Sequence, residues 1–140
     1  MQRKASAVWQ GDLSHGQGSV STESRVLKQT PYSFSTRFEN GTGTNPEELL
    51  AAAHASCFAM ALSAELGKVG ITPDRLETTA TVTIEKGSNG FSITKSHLDL
   101  IAHIPNADKT KFDTAVQAAK NGCPVSKLFK AEISVSTKLE

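Results

Sequence analysis

Two sulfur atoms are the most chemically suggestive feature of this chain. Cys57 and Cys123 are its only cysteines. Cys57 stands inside "NPEELLAAAHASCFAMAL", an alanine-rich run, and Cys123 stands in "NGCPVSK". A single cysteine in such a run is most often a small packing residue. Two cysteines allow more chemistry: one thiolate attacks, and a second thiol condenses with the product before it oxidises further. His54 precedes Cys57 by about one helical turn. It could activate that thiol in a hydrolase or transferase, or simply hydrogen-bond within the core. The chain has no Cys-x-x-Cys and no histidine pair at ligand spacing, so the residues do not describe a zinc site. A redox switch or apolar-ligand binder built on the same cysteines is the remaining reading. It would oxidise slowly and turn nothing over.

The elements that must position these groups follow from pattern. From Leu49 to Ala64 no Asp, Glu, Lys or Arg occurs. Asn45 is placed to cap this stretch as a helix, with Pro46 at the first position and Glu47 and Glu48 at the positive end of its dipole. Gly67 is its expected terminator. Small and apolar residues lie all round the helix, so it needs cover on most sides, from a second helix of the chain or from a second subunit. Before it, "KASAVW", "SVSTES" and "PYSFSTRF" read as short strands. After it, "TTATVTIE" alternates and "GSNG" turns the chain. The partner strand points Phe91 and Ile93 inward, then Leu98, Leu100, Ala102 and Ile104. That change of parity predicts a bulge near residues 95–97. Asn106 or Asp108 opens a second helix with Phe112, Val116 and Ala119 on one stripe. Gly122 would end it in a left-handed turn, leaving Cys123 to cap a short helix that begins at Pro124, where a helix dipole lowers a thiol pKa. "AEISVSTKL" is a final strand. The expected fold is α+β, a single domain over residues 1–140, with helices packed on a largely antiparallel sheet. Cys57 is then buried within a helix, and Cys123 sits in a looser junction.

Net charge is +1 at pH 7 with no basic block, which argues against nucleic-acid or membrane-surface binding. The uncharged run falls short of the roughly 18–20 residues that cross a bilayer, and "MQRKASAVWQGDL" has no apolar signal-peptide core. The expectation is a soluble, cytoplasmic protein, where a bond between the two thiols is transient rather than structural.

"GTNPEELLAAAHASCFAMAL" together with "NGCPVSKLFKAEI" resembles the OsmC/Ohr family of osmotically inducible and organic-hydroperoxide-resistance proteins. "WQGDL…GQGSVSTES", "PYSFSTRFE" and "KAEISVSTKL" extend the similarity along nearly the whole chain, toward the OsmC branch. The resemblance implies a thiol-dependent peroxidase acting on organic hydroperoxides and hydrogen peroxide. It implies an intertwined homodimer whose antiparallel sheets wrap around central helices, with two sites at the subunit interface. It implies no metal or prosthetic group, and an external dithiol such as a lipoylated protein as reductant. On this sequence the peroxidatic thiol falls on Cys57, the resolving thiol on Cys123 and the motif's acid on Glu47. The early glycine turn "SHGQGSV" has no arginine. The active-site arginine of the OsmC branch falls instead on Arg37, in "STRFE", on the strand before the helix. Arg37 would favour the thiolate, and Glu47 would hold its guanidinium. Phe58 and Met60 would suit an organic substrate. In one unbroken helix Glu47 and Cys57 are about 15 Å apart along the axis. The carboxylate therefore reaches the thiol only through Arg37, or comes from the second subunit.

Overall fold

A computed structural model describes Met1–Glu140. The chain divides into two compact units, residues 1–49 and 50–140. The first contains strands β1 (Ala5–Gln10), β2 (Gln17–Thr22) and β3 (Thr30–Tyr32), joined in that order as an antiparallel sheet. Trp9, Gly18 and Tyr32 form one row across it. The two rings close over the glycine with centroids 5.6 Å apart. A Cβ on Gly18 would lie 2.5 Å from the Tyr32 ring and 2.7 Å from the Trp9 ring, so only glycine fits there.

The alternation of "PYSFSTRF" predicts a strand through Phe38, but the chain leaves the sheet after Tyr32 and forms a short helix, α1 (Phe34–Phe38). A capping box decides this. The Ser33 hydroxyl accepts the Thr36 N–H at 3.2 Å, and the Thr36 hydroxyl accepts the Ser33 N–H at 2.8 Å. Such local side-chain bonds offer the backbone an alternative to a sheet ladder. Arg37 therefore projects from a helix rather than a strand. Asn45 caps the long helix α2 (Pro46–Lys68) as expected, accepting the Glu48 N–H at 2.8 Å. Its amide also donates to the Thr36 carbonyl at 2.8 Å, tying the two helices together at their near ends.

The second unit takes up α2 and adds β4 (Arg75–Gly87), β5 (Gly90–His103), α3 (Lys109–Gly122), α4 (Pro124–Leu128) and β6 (Glu132–Leu139). Helix α2 ends one residue past Gly67. Gly70, at φ +77°, takes the left-handed position, and the Ile71 N–H returns to the Leu66 carbonyl at 3.0 Å. Strands β4 and β5 form the predicted hairpin. Its register shifts between Thr83↔Lys95 and Ile84↔Ile93, leaving Thr94 as the extra residue. The bulge thus lies just before the predicted window and has the predicted consequence, since Leu98, Leu100, Ala102 and Ile104 all turn inward. Phe91 does not: it is 55% exposed near the hairpin tip, beyond the reach of the core.

Strand β6 runs parallel to β5, not antiparallel, because α3 and α4 carry the chain back along the sheet before it re-enters. The core joins Phe58, Leu62 and Leu66 of α2, the inward residues of β5, and Phe112, Ala115, Val116 and Ala119 of α3. Helix α2 has the length and apolarity of a membrane span. Its row His54, Phe58, Leu62, Leu66 is fully buried in this core, while Ala52, Ala53, Ser56, Met60, Ser63 and Ala64 are exposed.

Candidate active site

The second unit brings the two sulfurs together. Cys123 Sγ lies 2.8 Å from Cys57 Sγ, with both residues as free thiols. Their exposures reverse the sequence expectation: Cys57 is half-buried and Cys123 is 0% exposed. The reason is local. Pro124 disfavours helical geometry at Cys123, which takes φ −56° and ψ 126°. Helix α3 therefore ends without a left-handed residue, and Gly122 stays helical. Helix α4 starts at once from Pro124, and this abrupt corner turns the Cys123 side chain into the core. Cys123 is the N-cap of α4 by position but makes no side-chain capping bond.

The Cys57 pKa is raised above its ordinary value. Partial burial is the main cause and the hydrogen bond with Cys123 adds to it, while the backbone N–H of Val125, in the first turn of α4, opposes them by favouring the thiolate. A rapidly reacting thiol here needs a further positive group.

His54 is neither that positive group nor a base for Cys57. Its Nδ1 is 2.6 Å from the Ser96 hydroxyl and its Nε2 is 2.8 Å from the Ser126 hydroxyl. With both ring nitrogens engaged away from Cys57, the cysteine–histidine hydrolase reading loses its general base. Burial lowers the pKa of His54, which favours the neutral ring. A neutral imidazole has one donor and one acceptor nitrogen, so one serine donates to it and the other accepts from it. The ring also meets Phe129 edge-on at 5.1 Å.

In the first unit Arg37 and Glu47 form a bidentate pair. Nε lies 3.1 and 3.2 Å from the two carboxylate oxygens, and one terminal nitrogen lies 2.8 Å from Oε1. Glu47 is buried and Arg37 is partly exposed, its guanidinium 5.3 Å from the centre of the Phe38 ring. Arg37 helps line an apolar cavity of about 290 Å³ with Trp9, Tyr32, Phe34, Phe38 and Pro46. Phe58 and Met60, apolar neighbours of Cys57 in the sequence, are not part of this cavity. Phe58 is 0% exposed, a core residue, and Met60 is 77% exposed on the open face of α2.

The description OsmC-like protein matches residues 39–138, a span that holds Glu47, His54 and both cysteines. The chain belongs to the OsmC family. Peroxiredoxin OsmC of Escherichia coli strain K12 is 52% identical to this OsmC-like chain over 138 residues, covering 99% of this chain and 96% of the relative. Organic hydroperoxide resistance protein OhrB of Bacillus subtilis strain 168 is 29% identical over 124 residues, with 88% and 89% covered. The crystal structure of OhrB superposes with a TM-score of 0.72 at 27% identity, covering 98% of each chain. An OsmC-like protein of unknown function from Vibrio cholerae superposes with a TM-score of 0.79 over 99% of each chain; at 15% identity it speaks for the fold alone. The mixed α+β architecture is thus the OsmC-like fold.

Sequence reasoning missed two residues near this site, Ser96 and Ser126. The signal for Ser96 was present: it shares the inward parity of Leu98, Leu100 and Ala102, and a polar residue at such a position needs a buried partner.

Proposed function

We propose that this protein is a peroxide-detoxifying enzyme, a two-cysteine peroxidase that reduces organic hydroperoxides and hydrogen peroxide with electrons from an external dithiol such as a lipoylated protein. The observation that carries the reading is the 2.8 Å approach of the sulfurs of a half-buried Cys57 and a fully buried Cys123. The 52% identical relative named a peroxiredoxin supports it. The Cys57 thiolate attacks the terminal peroxide oxygen. The O–O bond breaks, Cys57 becomes a sulfenic acid, and the alkoxide takes a proton and leaves as alcohol, or as water from hydrogen peroxide. The Cys123 thiol then attacks the sulfenic sulfur, forming the Cys57–Cys123 disulfide and releasing water. Two thiols of the reductant restore both cysteines and leave as a disulfide.

Arg37 supplies the positive charge that the raised Cys57 pKa calls for, and Glu47 fixes the guanidinium in a charge-assisted fork. The single domain of residues 1–140 acts as a homodimer whose second subunit covers the open face of α2 and shares in the site. It works in the cytoplasm against oxidative and osmotic stress. The aromatic cavity beside Arg37 favours substrates with an apolar tail.

Peroxide consumption in the presence of dihydrolipoamide tests the reading. Wild type turns over, and Cys57→Ser does not. Cys123→Ser consumes about one peroxide per site and then stalls as sulfenic or sulfinic acid. Undiminished steady turnover by Cys57→Ser overturns the mechanism.

A further inference from the structure

Helix α4 delivers the Cys123 sulfur to Cys57 from its N-cap at 2.8 Å, and the Val125 N–H in its first turn favours the Cys57 thiolate. It is only five residues long and has no side-chain cap of its own, so little within the helix fixes its position. One residue beyond Val125, Ser126 is buried and its hydroxyl meets His54 Nε2 at 2.8 Å. The other ring nitrogen, Nδ1, is held by the Ser96 hydroxyl of β5 at 2.6 Å. His54 itself sits one turn before Cys57 on α2. We propose that His54 is a positioning residue which, through Ser126, holds α4 so that Cys123 Sγ stays against the Cys57 sulfur.

The assignment rests on the peroxidase reading for its consequence but on geometry for its cause. A Cys57 thiolate that keeps the Val125 N–H reacts at lower pH, and a Cys57 sulfenic acid that keeps Cys123 in place closes to the disulfide before a second peroxide arrives. A histidine that merely filled the core would affect stability and neither of these. Three connected points define the tether, and they make different predictions. Ser126 is the link to α4, His54 is the bridge, and Ser96 only anchors the bridge to the sheet.

The test uses the full-length protein in two measurements. The first is the pH profile of Cys57 alkylation. The second is the ratio of sulfinic acid to disulfide, by intact mass, after a pulse of excess peroxide. Ser126→Ala should move the alkylation midpoint upward and raise the sulfinic fraction roughly three- to ten-fold, the size of one lost hydrogen bond. His54→Leu should do the same. His54→Gln, whose amide can donate and accept, should recover most of the wild-type behaviour, and Ser96→Ala should have the smaller effect of the three losses. If folded Ser126→Ala, with a cooperative unfolding transition, keeps both the wild-type midpoint and the wild-type ratio, the tether is overturned. Wild type and Cys57→Ser run in parallel separate the two claims. A wild type that consumes no peroxide sinks the peroxidase reading, while the alkylation profile of Ser126→Ala still decides the tether.

Discussion

Every fully buried apolar side chain lies in residues 50–140, from Phe58 to Cys123. The first unit buries only Thr36, Thr44 and Glu47, all polar. Strand β1 is exposed along its whole length, and Val8, Leu13 and Val26 are exposed with it. A unit of that size with so little apolar burial does not offset the entropy of its own ordering. The second unit carries its own core, with Cys123 inside it and Cys57 packed against it. The first holds the fixed guanidinium but lacks a core, so its order depends on cover from outside. The contrast teaches that the thiol pair and the Arg37–Glu47 ion pair belong to parts of the molecule with different sources of stability.

The largest effect should separate the two units by stability. Phe112→Ala removes a 0% exposed ring from the second unit and should lower unfolding free energy by about 3–5 kcal/mol in denaturant titration. Val8→Ala, at 58% exposure, should change it by less than about 0.5 kcal/mol where the chain is monomeric. Equal costs in dilute monomer would break the contrast. A Val8→Ala cost that appears only at high protein concentration would sharpen it.

A middle-sized effect concerns the charge. Arg37→Ala should raise the Cys57 alkylation midpoint by about one pH unit and slow peroxide reduction roughly tenfold. Arg37→Lys should restore part of this, because a point charge cannot reproduce the fork. An unchanged midpoint would confine the ion pair to holding α1 on the start of α2. Mixed dimers of wild type with Cys57→Ser/Glu47→Ala then show which subunit supplies the carboxylate. Activity proportional to the number of wild-type subunits places it within one chain; a lower activity places it across the interface.

The smallest effect is a pH dependence confined to the second unit. Burial lowers the pKa of His54 below its ordinary 6.5. Above that value both folded and unfolded chains hold it neutral, and its contribution is complete. As pH falls below it, the unfolded chain takes the proton first, and stability is lost down through the folded pKa. Urea unfolding between about pH 7.5 and about pH 5 should therefore be less steeply pH-dependent in His54→Gln than in wild type. Parallel slopes would mean that the ring takes its proton at the same pH in the folded and unfolded chains.

Where structure depends on neighbours in the chain, the sequence was enough. Asn45 and Pro46 announced the start of α2, "GSNG" announced the hairpin, the parity change in β5 announced the bulge, and the stripe Phe112, Val116, Ala119 announced α3. Each is a matter of capping, turn chemistry or periodicity within a few residues. The two cysteines and the Arg37–Glu47 couple were also legible, though as residue types and family motif rather than as geometry. Tertiary structure decided the rest. Alternation in "PYSFSTRF" could not outweigh the Ser33–Thr36 capping box. The direction of β6 followed from the path of α3 and α4, which no local pattern records. Most consequential was the reversal at the sulfurs, with Cys57 half-buried and Cys123 enclosed, and the bond of His54 to two serines 42 and 72 residues away. Such contacts have no local signature, because they depend on which faces the packed core brings together and not on the spacing of residues along the chain.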